Sequence, residues 1–252
     1  MQAEGIHIEN LSVGYVGSRR RHIVASGIGG TIVAGSLTCL LGANGVGKST
    51  LLRTLAAFQP PLEGKILMDG QDLTAWTRRE LARKVTVVLT MRPQVQHLTV
   101  SGLVAMGRAP YTGFWGRLAT ADRLAVEQAM KAVGMEGYAH KRVVQLSDGE
   151  LQKTMIAKAL AQETPVILMD EPTAFLDFRA RADVMCMLGR LAHEQKKTIF
   201  LSTHDVQMAV QTADWLWLMD ATETCQGTPS SLAASGVLRQ FLGSAADSMD
   251  IP

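Results

Sequence analysis

Apolar residues follow two different rhythms along this chain. The run SLTCLLG (36–42) is continuously apolar and stops at a glycine-rich loop, and KSTLLRTLAAF (48–58) after it has the spacing of a helix with one apolar face. A second continuous run, VILMDEP (166–172), is flanked by Pro165 and Pro172, and a third, KTIFLSTHD (197–205), follows a helical stretch from Phe178 to Gln195. Three buried strands alternating with helices predict an α/β fold with a parallel sheet covered on both faces. The other rhythm is strict alternation, in IHIENLSVGY (6–15) and HIVASGIGGTIV (22–33), joined by the polar, basic GSRRRH (17–22). Such half-exposed strands predict a small antiparallel sheet on one edge.

Between the first and second buried runs the chain is too long for a single crossover. VTVVL (85–89) reads as a strand there and ATADRLAVEQAMKAVGM (119–135) as a helix. We therefore expect one domain, with residues 1–91 and 161–252 forming a core and residues 92–160 an inserted helical subdomain. GTPSSLAASGVLRQFLG (227–243) reads as one capped helix, and the tail SAADSMDIP (244–252) is expected to fray. No internal repeat or low-complexity segment is present.

Composition narrows the class. A chain of 252 residues that is 47% hydrophobic can bury a sizeable core. Lys and Arg number 25 against 23 Asp and Glu, so the net charge of +2 gives no long-range pull toward nucleic acid or anionic lipid. Cys39, Cys186 and Cys225 form no CxxC pair and no disulfide framework, which fits a reducing compartment. The N-terminus lacks the basic and apolar regions of a signal peptide, and no apolar run approaches the roughly eighteen residues of a membrane helix, so a chain that neither crosses a membrane nor is exported is expected.

The loop Gly42-Ala43-Asn44-Gly45-Val46-Gly47-Lys48-Ser49 matches GxxxxGK[ST] in the strand-loop-helix context that such a phosphate-binding loop requires. Its backbone N–H groups would converge on phosphate oxygens at a helix N-terminus, Lys48 would reach the β and γ phosphates, and Ser49 would hold Mg²⁺. Asp170 and Glu171 end a buried strand at the sheet edge where open α/β folds bind their ligands. Asp170 is the expected metal residue and Glu171 the expected general base toward an attacking water. His204 ends the third buried strand and reaches the same edge, although a lone histidine is as readily structural.

The phosphate loop, LSDGE (146–150), LMDEPTAFLD (168–177) and STHD (202–205) together resemble, in order and spacing, the ATPases of the ABC family, over nearly the whole chain. The resemblance implies a P-loop core with an antiparallel edge sheet and a helical subdomain, binding ATP and Mg²⁺ through Gly42 to Thr50. It implies that Ser147 and Gly149 form the signature loop that contacts ATP held by a second copy, so that each site is composite. It makes Asp177 the carboxylate that communicates between sites, His204 the switch histidine on the γ-phosphate, and Tyr15 the ring stacked on adenine. Tyr15 has an alternative as a sheet-packing residue, and stacking alone tolerates any base.

Two departures stand out. The signature reads LSDGE where the family most often has LSGGQ, placing Asp148 and Glu150 near a phosphate site, while Ser147 with Glu150 also makes a helix-capping box. Where the family places a glutamine after the VTVVL strand, this chain has Met91, with Gln94 nearby; a thioether is a poor Mg²⁺ ligand, so that glutamine is left unassigned. LTVSGLVAMGRAPYTGFWGR (98–117), with MGR followed by PYTG, resembles ATPases of importers for iron-siderophore, haem or cobalamin. Its aromatics Tyr111, Phe114 and Trp115 suit either a groove for a coupling helix or a loop folded back on itself. The importer resemblance implies two membrane permease subunits, an extracytoplasmic substrate-binding protein, and a peripheral position on the cytoplasmic face of the inner membrane. DNA-repair, ribosome-acting and exporter ATPases are disfavoured, because no long heptad insert, second cassette or membrane helix is found. A dimerising scaffold that scarcely hydrolyses ATP, or an ATPase of a different transport system, is the remaining alternative.

Overall fold

The computed structural model describes residues 5–17, 20–90, 97–113, 115–220 and 223–243. In chain order the elements are β1 (Ile6–Val16), β2 (Arg21–Ile32), β3 (Leu37–Leu41), α1 (Lys48–Leu55), β4 (Glu63–Met68), β5 (Gln71–Asp72), α2 (Arg78–Leu81) and β6 (Val85–Val88). There follow α3 (Val100–Ala105), α4 (Thr120–Ala132), α5 (Asp148–Ala161), β7 (Val166–Asp170), α6 (Phe178–Gln195) and β8 (Thr198–Ser202). The chain closes with α7 (Val206–Thr212), β9 (Trp215–Met219), β10 (Thr224–Gly227), α8 (Pro229–Ala234) and α9 (Val237–Leu242).

Among the described residues, six strands form the central sheet in the order β10-β9-β3-β8-β7-β6, with only β10 antiparallel to its neighbour. The continuous apolar runs are explained by cover on both faces. On one face Cys39, Leu41, Ile167, Met169, Ile199, Leu201 and Leu218 pack against α6, α7 and the helices inserted between β6 and β7. On the other, Leu40, Leu168, Phe200 and Trp217 pack against α1 and a second sheet. Phe200 and Trp217 meet edge to face at 5.5 Å, a favoured aromatic geometry.

That second sheet is antiparallel, in the order β2-β1-β4-β5. Its alternation buries Ile6, Ile8, Leu11 and Val13 over α1. It meets the β10 edge of the central sheet through side chains: Thr224 Oγ1 accepts from Gly29 N at 3.2 Å and Gln226 Oε1 from Thr31 N at 3.0 Å. Sequence pattern alone did not single out β9, because WLWLM is a short apolar run without alternation, a pattern shared by buried helices. The expected single C-terminal helix is two, α8 and α9, because Gly236 takes a left-handed φ of 76° between them.

Helices α3, α4 and α5 form a helical insert between β6 and β7, and one buried cation fixes it. The Arg108 side chain is only 5% exposed. It donates to Asp122 Oδ1 at 2.8 Å, to the Ala161 carbonyl at 2.8 Å and to Glu163 Oε2 at 2.5 Å. Burial alone would draw its guanidinium down, but the hydrogen bonds it donates to Glu163 and Asp122 hold it above its ordinary range. Its guanidinium also stacks on Tyr111 at 3.9 Å, and the Tyr111 hydroxyl donates to the Gln162 carbonyl at 3.0 Å. Gln162 in turn donates to the carbonyls of Ala82 and Val85, at 2.7 and 3.2 Å, at the entry to β6. Tyr111 is therefore folded back into the insert's attachment, whereas Trp115 is 83% exposed. Phe114 lies outside the described residues. Replacing Arg108 by Leu strips the cation from two carboxylates, and a fall in Tm on the order of 5 °C or more is expected in thermal denaturation followed by circular dichroism.

Candidate active site

The strands β3, β8 and β7 end level with one another. Ser202 pairs in register with Leu40 on one side and with Asp170 on the other, so the groups that follow all emerge at one sheet edge. The chain leaves β3 for the far edge at β6, builds back through β7 to β8 on one side of β3, and then adds β9 on the other side, so the loop after β3 sits where the strand order reverses. Open α/β sheets bind ligands at that position.

That loop, Gly42 to Gly47, is shaped by the absence of side chains. A Cβ on Gly42 would stand 2.6 Å from the Met219 carbonyl oxygen. Gly47 caps α1 with φ 114°, and a Cβ there would stand 3.0 Å from Val24. Lys48 opens α1 and is buried, donating to the carbonyls of Gly42 at 2.8 Å and Ala43 at 3.0 Å. Burial draws its ammonium below the usual lysine range, against the opposing pull of Glu171 and Asp170.

Asp170 is the fixed point of the edge. Its Oδ1 accepts from Ser49 Oγ at 3.0 Å and from Ser202 Oγ at 2.8 Å, and its carbonyl accepts from Thr90 Oγ1 at 2.7 Å. The next residue, Glu171, has φ 47°, a strained conformation for a residue with a Cβ. Its N–H donates to Ser202 Oγ at 2.9 Å, and its carboxylate is in contact with His204 Nε2. Lys48, Ser49, Asp170, Glu171 and His204 are thus brought to one edge. Ser202 and Thr90 were not among the residues expected there: hydroxyls at strand ends carry no local signal separating a polar latch from ordinary strand chemistry.

An open cleft of about 340 Å³ lies over the loop, lined by Tyr15, His22, Val24, Asn44, Gly45, Gly47, Lys48, Ser49, Thr50 and Glu171. Tyr15 is 46% exposed, and its hydroxyl hydrogen-bonds Thr50 Oγ1 at 3.1 Å. For a metal, Ser49 Oγ and Asp170 Oδ1 offer adjacent hard oxygens. Among the described residues no group of three or more His, Cys, Asp or Glu could cage an ion. Two protein oxygens with the remainder supplied by water and phosphate fits Mg²⁺, which keeps several of its waters.

The signature residues stand apart from this cleft within one chain. Ser147 caps α5, accepting from Glu150 N at 3.3 Å while its own N–H donates to Glu150 Oε2 at 2.8 Å, the capping box anticipated from sequence. That backbone hydrogen bond holds the Glu150 carboxyl below its usual range. Gly149 lies on the first turn of α5, where a Cβ would touch Ala180 of α6 at 3.4 Å. Asp177 caps α6, accepting from Ala180 N at 2.8 Å. Asp148 lines a shallow hollow with Glu171 and Phe175. Met91 and Gln94 lie outside the described residues.

A family model described as ABC transporter matches residues 25–174, more than half of the chain. The ferric enterobactin transport ATP-binding protein of Escherichia coli is 34% identical over 236 residues, spanning 93% of this chain and 86% of that protein. Among solved structures, a transporter assigned to the metal-chelate type and captured facing inward superposes with a TM-score of 0.81 at 26% identity, covering 95% of this chain and 89% of that one. A dimeric bacterial ABC transporter cassette gives 0.75 at 25% identity, covering 88% and 98%. The chain belongs to the ABC transporter family. Within it, this is the ATP-binding subunit, which hydrolyses ATP to drive transport.

Because Ser202 joins Asp170 to the Glu171 backbone, Ser202→Ala is expected to lower kcat for ATP hydrolysis roughly tenfold while leaving ATP affinity within about twofold. Steady-state phosphate release alongside equilibrium binding of ATP would check this.

Proposed function

We propose that this subunit powers the import of an iron chelate, a siderophore complex in preference to haem or cobalamin, working as one half of a dimer with two composite ATP sites. The observation that carries the hydrolytic part is the Asp170–Glu171 edge: one carboxylate pinned by two serines beside the phosphate loop, and the next held in a strained backbone against His204. The iron-chelate assignment is supported by the siderophore relative and by the metal-chelate structural neighbour.

In this reading the amides of Gly42 to Ser49 cradle the phosphates, Lys48 turns from the Gly42 and Ala43 carbonyls toward the β and γ oxygens, and Thr50 closes the loop. Tyr15 faces the adenine. Ser49 and Asp170 would hold Mg²⁺, which would supply positive charge to neutralise the phosphates. Glu171 takes the proton of the attacking water, and His204 orients that carboxylate and hydrogen-bonds the γ-phosphate. Ser147 and Gly149 of the second copy complete the site from the exposed first turn of α5, and Asp177 relays occupancy between the two sites. The helical subdomain is assigned to residues 92–160 and the catalytic core to residues 1–91 and 161–252.

No helix among the described residues is long and apolar enough to cross a membrane. We place the chain peripherally on the cytoplasmic face of the cell membrane, bound to two permease subunits and served indirectly by an extracytoplasmic binding protein. A groove of about 560 Å³ lined by Phe58, Arg78, Leu81, Val87, Met155 and Lys158 lies between core and insert, with Phe58 63% exposed, and offers the permease an apolar seat.

Replacing Glu171 by Gln is expected to preserve ATP binding, cut hydrolysis at least about a hundredfold and accumulate an ATP-bound dimer in size-exclusion chromatography; undiminished turnover would remove Glu171 from the role of base. The wild-type rate should rise faster than linearly with protein concentration. Asp148→Gly, which lifts a negative charge from the face presented to the second copy's phosphates, is expected to leave hydrolysis unchanged or to raise it, and a large loss would show that Asp148 assists the reaction.

A further inference from the structure

The wall of the cleft opposite the phosphate loop is made by strands that no phosphate chemistry requires. We infer that His22 is a base-reading residue of this site: its imidazole hydrogen-bonds the edge of the base of the bound nucleotide and supplies the selectivity that the Tyr15 ring lacks. The inference rests on the ATP-binding reading of the cleft and adds the residue that discriminates within it.

Three observations carry it. First, Tyr15 and His22 are direct partners in the antiparallel β1–β2 ladder, and directly opposed residues project from the same face of the sheet. Their pairing is held close at Gly14, where a Cβ would stand 2.0 Å from the His22 carbonyl oxygen, so no other residue fits there without shifting the pair. Second, Tyr15, His22 and Val24 all line the cleft that also contains Lys48, Ser49 and Thr50. Third, the positions are graded along β2. Val24 Cγ1 would stand 3.0 Å from a Cβ on Gly47, which puts Val24 directly against the loop. His22, past the bulge that leaves Val24 unpaired in β2, is the partner of Tyr15 and so stands level with that ring.

That offset decides which half of a nucleotide His22 meets. The loop amides and Lys48 claim the phosphates, and Tyr15, tethered through its hydroxyl to Thr50, walls the region beyond them. A ring stacked on a base reads only its π-face and accepts any of them. An imidazole offers one donor and one acceptor when neutral, the complement that base edges need. His22 itself is exposed, so the group is available to a ligand.

Equilibrium binding of ATP, GTP and inorganic tripolyphosphate to the full chain, measured without added Mg²⁺, tests this. His22→Ala is expected to weaken ATP about five- to tenfold and to narrow the difference between ATP and GTP, with tripolyphosphate affinity unchanged. His22→Gln, which keeps a donor and an acceptor, should recover most of the loss, which a merely structural role would not predict. Unchanged ATP affinity in His22→Ala, or an equal loss for tripolyphosphate, would overturn the assignment. Failure of the wild-type chain to bind either ATP or tripolyphosphate would instead strike at the ATP-site reading itself.

Discussion

Everything at the reactive edge depends on the level ending of three parallel strands. Because Leu40, Ser202 and Asp170 share a register, a hydroxyl on the middle strand can hold the carboxylate of one neighbour while receiving the N–H of the following residue. The register is itself enforced by burial: each of these strands is apolar on both sides, and a slip of one residue would turn Phe200 and Leu168 out of one core and into the other. Hydrophobic packing, which has no chemical function of its own, thereby sets the spacing of the groups that have one.

The two faces of the central sheet are put to different uses. One is capped by α1 and the antiparallel sheet, which together hold the phosphate loop and the Tyr15–His22 wall. The other carries α6, α7 and the helical insert, whose attachment runs through Arg108, Tyr111 and Gln162 to the entry of β6. Two residues past the far end of β6 stands Thr90, whose hydroxyl bonds the Asp170 carbonyl. A strand of four residues therefore separates the insert's anchorage from the Asp170 carboxylate.

Much of this was legible in the sequence. The phosphate loop could be read because strand, glycines, lysine and helix occur within one contiguous segment, and Asp170 and Glu171 because two acids end an otherwise apolar run. Tertiary partners were harder. Ser202 belongs to a buried strand where a serine attracts no notice, and its role appears only once β8 is set between β3 and β7. In sequence Tyr111 suits a groove and a core equally, and only the tertiary stacking of Arg108 on its ring separates the two. The break at Gly236 was hidden because a single glycine inside a helical pattern is compatible with continuation.

Glu171 carries an energetic tension of its own. A residue with a Cβ at φ 47° is less stable there than glycine would be, and its carboxylate is in contact with His204. Selection for folding alone would favour glycine at this position, and selection for chemistry insists on the acid. With Glu171 as the proposed base, the chain keeps a small reserve of instability at its reactive edge, and that role requires variants that gain thermal robustness at residue 171 to do so by surrendering turnover.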